Sequence, residues 1–198
     1  GLLRQLDLQP QFAIGHSAGT AILLQMAYGY RFAPCRLFVI NSALEPIPGN
    51  AFLSPMARML QSAPFITNIF SWQARNGGTA NLLRATGSQI STESRQCYEL
   101  LFSNKDHVRA ALGMMANWRL ATLQVGLATL STPVTLIAAE DDRMVRPGVS
   151  QRAADQMKAG EFIELPVGGH LVHEAMPETI AAIIADKLDI HCKREDGG

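Results

Sequence analysis

The most constraining feature of this sequence is the stretch FAIGHSAGTAILLQMA, Phe12 to Ala27. Gly15-His16-Ser17-Ala18-Gly19 forms a G-x-S-x-G sequence between two apolar runs, and no Lys, Arg, Asp or Glu occurs from residue 8 to residue 30. A short buried strand entering a helix of good helix formers fits the pattern. The junction is then a sharp turn that holds Ser17 in strained backbone angles and exposes its hydroxyl at the C-terminal edge of a sheet. Side chains at either flanking position would collide with the strand or the helix, so glycine is expected at both. The same turn sets the N–H of Ala18 at a helix N-terminus, where it can face a developing oxyanion. Gln9, Pro10, Gln11, His16, Ser17 and Gln25 interrupt the charge-free run, which therefore reads as core and not as a membrane span.

The rest of the chain supports a parallel α/β sheet. CRLFVINSA, TPVTLIAAE and GEFIELPV read as three further buried strands. GVSQRAADQMKA and MPETIAAIIADKLDI read as helices, the second with Pro177 in its first turn and Ile180, Ile183, Ile184 and Leu188 at helical spacing. Strand, helix, strand, insertion, strand, helix, strand, helix is the order of an α/β fold. The insertion, residues 45–127, carries Pro46, Pro48, Pro55 and Pro64, then helix-like segments (TNIFSWQARN, ESRQCYELLFSN, KDHVRAALGMMANWRL) with no strand alternation. The expected organisation is a core of residues 1–44 and 128–191 with a helical lid over 45–127. Met56, Met59, Phe65, Phe70, Trp72, Met114, Met115 and Trp118 would pack that lid or line a pocket for a flat apolar ligand, and Asn117 could face it.

A serine needs a base, and the base an acid. For this type of turn the chain order is Ser, acid, His. The acid belongs after a late strand, where Glu140, Asp141 and Asp142 stand; Asp142 is the first choice and Asp141 the alternative. The base belongs after the last strand, where His170 follows Gly168-Gly169. His170 and His173 would make a metal pair only with a third ligand of suitable spacing, which is lacking, so neither a metal nor a cofactor is expected. His173 is expected to pack or hydrogen-bond in its loop. His16 would take a polar structural role or line the pocket, and His107 and His191 are read as structural.

Charge and cysteine content exclude other classes. Lys+Arg and Asp+Glu number 17 each in 198 residues, so the net charge is zero and no basic footprint for nucleic acid exists. With 47% apolar residues the chain has the composition of a globular core, not of a disordered segment. Cys35, Cys97 and Cys192 form neither a CxxC pattern nor an even framework, which reads as reduced thiols in a cytoplasmic protein. No basic segment followed by an apolar one marks a leader. The opening GLLRQLDLQPQFAIG, without an initiator methionine, reads as the start of a fragment.

These residues resemble the α/β-hydrolase superfamily from Leu2 to about Leu188. Within it, GHSAGTAI, INSALEPIPG, FLSPMARML, ATGSQIS, HVRAALGMMANWRL and LPVGGHLVHE are most similar to the magnesium chelatase accessory proteins of bacteriochlorophyll biosynthesis. The resemblance implies Ser17 as nucleophile, Asp142 as acid and His170 as base, and a role near magnesium insertion into protoporphyrin IX. It implies an apolar ester or a tetrapyrrole as small-molecule partner, and magnesium chelatase as protein partner. Members of the superfamily carry about four strands and an HG loop before the serine turn. These are missing from the 198 residues, so Ala18 would be the only oxyanion donor, at a cost of about 10²- to 10³-fold in rate. The first strand would also be an exposed apolar edge prone to aggregation. Three functions follow as candidates: a serine hydrolase of ester or related acyl bonds, a non-catalytic accessory protein that binds a tetrapyrrole or the chelatase, and a carboxylesterase of another pathway. A serine in the turn argues against the dehalogenase and epoxide-hydrolase branches, which use aspartate there.

Overall fold

The computed structural model describes residues 2–29, 34–45, 78–116, 120, 123 and 126–195. Four strands form one parallel sheet in the order β1-β2-β3-β4, with β1 Phe12–His16, β2 Arg36–Ile40, β3 Val134–Ala139 and β4 Gly160–Leu165. All four fall within the apolar runs expected to be strands. β2 and β3 are the interior strands. Leu37, Phe38 and Val39 are wholly buried, as are Val134, Leu136 and Ile137, which fits a sheet covered on both faces. Each such side chain contributes about 1.5–3 kcal/mol by leaving water.

The period of two along each strand divides the core. On one face Leu37, Val39, Val134 and Leu136 pack with Leu23, Leu24 and Ala27 of α2 (Ala18–Tyr28). Ala153, Ala154 and Met157 join this cluster, the first two from α6 (Pro147–Gln156). On the other, Ile40, Ile137, Ala139 and Leu165 meet Val172 and Ile180. Those two come from α7 (Val172–Ala175) and α8 (Pro177–Glu195). α7 is a short helix within what the sequence presents as a loop. A further short helix, α1, spans Leu2–Gln5.

Between β2 and β3 no strand occurs among the described residues, whose helices include α3 Thr79–Ala85, α4 Thr92–Ser103 and α5 Lys105–Ala116. α4 starts at a conventional cap, with the Ser91 hydroxyl accepting from the Ser94 N–H at 3.1 Å. Met56, Met59, Phe65, Phe70, Trp72, Asn117 and Trp118, like the side chain of Met115, lie outside the described residues. Met114 is exposed.

The two ends of the sheet differ in chemistry. At the N-terminal end Arg36 donates to Thr135 Oγ1 at 2.7 Å and lies 3.7 Å from Glu161, which Lys187 of α8 also pairs. This polar ladder ties β2, β3, β4 and α8 together. Every candidate catalytic residue follows the opposite, C-terminal end. β1 and β4 are the edge strands among the described residues, and Phe12 and Ile14 of β1 remain 38% and 50% exposed. Among the described residues no helix is long and apolar enough to cross a membrane.

Candidate active site

Ser17 sits between β1 and α2 at φ 51°, ψ −115°, an unfavourable conformation for a residue with a side chain. Long-range backbone bonds hold it there. Its N–H donates to the Ile40 carbonyl at 2.9 Å, and its own carbonyl accepts from Thr20 at 3.2 Å and Ala43 at 3.3 Å. The end of β2 therefore imposes the angle that exposes the hydroxyl. A Cβ on Gly15 would approach Gly19 O and Thr20 Cα to 3.0 Å each, so strand and helix touch at that point. Gly19 departs from expectation: a Cβ there would meet nothing within 4 Å. It lies on the open side of the first helical turn, and only Gly15 is required by packing.

From Ser17 a chain of hydrogen bonds runs inward. Ser17 Oγ lies 2.9 Å from His170 Nε2, and His170 Nδ1 lies 2.8 Å from Asp142 Oδ2. The Asp142 side chain is fully buried and that of His170 is 10% exposed. The other carboxylate oxygen of Asp142 accepts from the backbone N–H groups of Met144 at 2.7 Å and Val145 at 3.0 Å. Three hydrogen bonds thus hold the carboxylate and keep one of its oxygens facing the imidazole. Ala18 is the first residue of α2, so its N–H has no partner inside the helix.

Asp141, the alternative acid, is used elsewhere. Its Oδ1 accepts from the Gly169 N–H at 2.7 Å. It anchors the loop that carries His170 without touching the imidazole. Gly168 and Gly169 adopt φ 131° and 64° in that loop, and a Cβ on Gly169 would come within 2.5 Å of Ser88 N. The glycine pair is therefore fixed by both angle and space.

Several residues that position the imidazole were not singled out in the sequence. Asn41, directly after β2, is 1% exposed and has φ 46°. Its amide nitrogen donates to Gly169 O at 2.9 Å and His170 O at 2.8 Å, while its oxygen accepts from Ala139 N at 3.0 Å. One side chain thus joins the ends of β2 and β3 to the histidine loop. Thr86 O accepts from His170 N at 2.9 Å, and Ser88 Oγ from Leu171 N at 2.7 Å. The signal for Asn41 is a buried-looking polar residue tolerant of positive φ, placed at the end of a continuous apolar strand.

His16 takes a structural role. Its Nε2–H donates to His170 O at 2.8 Å, and its ring lies 4.3 Å from that of His173 and 4.8 Å from that of His170. Burial, reinforced by the neighbouring His173, lowers its pKa to about 4. The ring is therefore neutral at pH 7, and the bond to a carbonyl fixes the proton on Nε2. Burial also lowers the pKa of His173, against the pull of Glu174. Glu174 accepts from Tyr98 OH at 2.5 Å, which fastens α4 to α7. His107 lies in α5, with its backbone N–H capped by Asn104 at 3.2 Å. His191 falls in α8. Cys35 and Cys97 are free and exposed.

A nucleophilic hydroxyl, an imidazole and a buried carboxylate in hydrogen-bonded series can carry out acyl transfer without a further group. Comparison with known proteins gives the family and the fold. The sequence profile of the alpha/beta hydrolase family matches residues 1–183. The magnesium-chelatase 30 kDa subunit of Rhodobacter capsulatus is 35% identical over 191 residues, covering 95% of this chain and 66% of that relative. The chain thus spans about two thirds of that relative's length. An alpha/beta hydrolase fold protein from Burkholderia ambifaria matches with a TM-score of 0.73 at 21% identity, over 93% of this chain and 68% of that one. A thermophilic esterase from Thermogutta terrifontis matches with a TM-score of 0.69 at 19% identity, over 96% and 69%. A haloalkane dehalogenase variant from Bradyrhizobium elkanii matches at 0.73 and 18% identity, over 98% and 72%. At such identities the structural likeness establishes the fold.

Proposed function

The chain belongs to the alpha/beta hydrolase family, and on that premise we propose that it is a serine hydrolase of ester or related acyl bonds. The observation that carries this reading is the unbroken series Ser17 Oγ, His170 and Asp142, with spacings of 2.9 and 2.8 Å. Ser17 attacks the acyl carbon while His170 Nε2 takes its proton. The leaving group departs with that proton, and water, activated by the same nitrogen, releases the acyl group. Asp142 holds the imidazole in the tautomer with Nδ1–H and stabilises its positive charge during each step. The Ala18 N–H, at the positive end of α2, faces the tetrahedral oxyanion.

The test is labelling by a fluorophosphonate. The folded protein is expected to label at Ser17, and Ser17→Ala to abolish the signal. A folded protein that does not label overturns the hydrolase reading. The relationship to the magnesium-chelatase 30 kDa subunit supports a second reading. In it the chain acts beside a magnesium chelatase in bacteriochlorophyll biosynthesis, as a binding protein for the chelatase or its tetrapyrrole. Absence of labelling together with saturable binding of protoporphyrin IX would favour that reading. An apolar-ester specificity under a lid formed by residues 45–127 belongs to the first.

A further inference from the structure

A cleft of about 490 Å³ lies where α3, the segment after it and α4 meet, outside the Ser17–His170–Asp142 series. Its volume falls in the range of small-molecule sites, roughly 300–1,000 Å³. Leu83 and Ile90 are apolar residues of its lining, and Arg84 and Arg95 line it from different helices. Arg84 donates to the Asn81 amide oxygen. No carboxylate of the described residues lies within ion-pair reach of either guanidinium. The acidic residue of the first turn of α4, Glu93, is engaged otherwise. Its own backbone N–H and the Ser91 hydroxyl hold its carboxyl below the ordinary value. Two permanent positive charges therefore line one cleft with no carboxylate of the described residues paired to either.

We propose that this cleft binds an organic carboxylate with an apolar body, its acidic group held by Arg84 and Arg95. Guanidinium forks match the planar carboxylate in charge-assisted bonds, and Leu83 and Ile90 offer apolar contact to its body. The cleft touches the loop that carries His170 through one of its lining residues. Ser88 lines the cleft and accepts from Leu171 N, and two residues earlier Thr86 O accepts from His170 N. The proposal stands apart from the hydrolase reading, because binding is measured without turnover.

The probes are 4-phenylbutyrate and its neutral isostere 4-phenylbutyramide, titrated into the full chain by calorimetry and by amide proton–nitrogen correlation spectra. The carboxylate is expected to bind about tenfold tighter or more, with shifts concentrated at Ser88, Gln89 and Ile90. Arg84→Gln with Arg95→Gln should erase that preference. Both arginines are exposed, so the double variant is expected to keep its far-ultraviolet spectrum and Tm. Arg84→Lys with Arg95→Lys retains the charge and should recover part of the preference. Equal binding of the two probes, or a carboxylate preference unchanged in the double glutamine variant, overturns the proposal.

Discussion

Replacing Asn41 by alanine tests how the histidine loop is held. The substitution removes three bonds at once. Ala139 is fully buried, and its orphaned N–H costs about 1–3 kcal/mol. The His170 carbonyl keeps His16 as a donor, whereas the Gly169 carbonyl loses its Asn41 partner, worth about 1 kcal/mol. Position 41 also sits at φ 46°, where an ordinary side chain costs roughly 1–2 kcal/mol. The contributions share one relaxation and do not add fully, so the expected loss is about 3–5 kcal/mol. That is a large part of a typical domain stability of about 5–15 kcal/mol. Asn41→Gly loses the same bonds but accepts the angle, and should be about 1 kcal/mol more stable than Asn41→Ala. Urea denaturation at pH 7, followed by circular dichroism on the three proteins, measures both differences. A loss below about 1 kcal/mol for the alanine variant, or no advantage for glycine over alanine, refutes the reasoning. At a temperature where the alanine variant is still folded, fluorophosphonate labelling of Ser17 should also slow at least tenfold, about 1.4 kcal/mol of barrier.

The remaining expectations concern individual residues. Gly15→Ala should destabilise the protein by about 1–3 kcal/mol, because the new methyl group meets backbone at 3.0 Å. Gly19→Ala should raise the denaturation midpoint, gaining about 0.5–1 kcal/mol of helix preference in open space. On a nitrophenyl ester Asp142→Asn should lower turnover by about 10⁴-fold. Asp141→Asn, whose amide oxygen can still accept from Gly169, should change it by less than about tenfold; the reverse order would reassign the acid. His16 is neutral in the folded protein down to a pKa of about 4, but protonates near 6.5 once unfolded. The unfolded state therefore takes up the proton first, and stability falls as pH drops through this window. The loss from this residue is up to roughly 3 kcal/mol, so denaturation midpoints measured from pH 7 to pH 4 should fall less steeply in His16→Gln.

The parts legible in the sequence were those whose signal is local. A strand is announced by its own apolar run, and a strained serine turn by the residues on either side. The histidine loop was readable because two glycines precede His170 directly after a strand. Even the choice of acid could be narrowed to neighbours, since loop position after β3 limits the candidates to three consecutive carboxylates. Which of them faces the imidazole depends on the distances from Asp142 and Asp141 to a loop about 28 residues away, and no property of the two aspartates themselves encodes that. The Gly19 expectation shows the limit from the other side. Spacing made it look equivalent to Gly15, but Gly15 lies in β1 against the first turn of α2, whereas Gly19 lies within that turn and faces open space.

Asn41 illustrates a more general point about such sites. Its bonding partners, Ala139, Gly169 and His170, lie 98, 128 and 129 residues further along the chain. No local pattern could name them, yet its type and place restrict what it can be. A buried amide must satisfy one acceptor and two donors, and at the end of an interior strand the groups on offer are the unpaired backbone of neighbouring strand ends and loops. Asparagine is also among the few side chains that tolerate positive φ. A polar residue of this kind that follows the apolar run of an interior strand is therefore best read as a clamp on the loops around it. The same reasoning separates Asn41 from Ser42, next to it. Ser42 is equally buried, its hydroxyl has no partner among the described residues, and it reaches no loop of the site. Replacing Ser42 by alanine should accordingly leave labelling of Ser17 within about twofold of the parent, because no bond to the His170 loop is lost. A tenfold effect there would mean that packing around the strand end, and not the Asn41 amide, holds the imidazole in place.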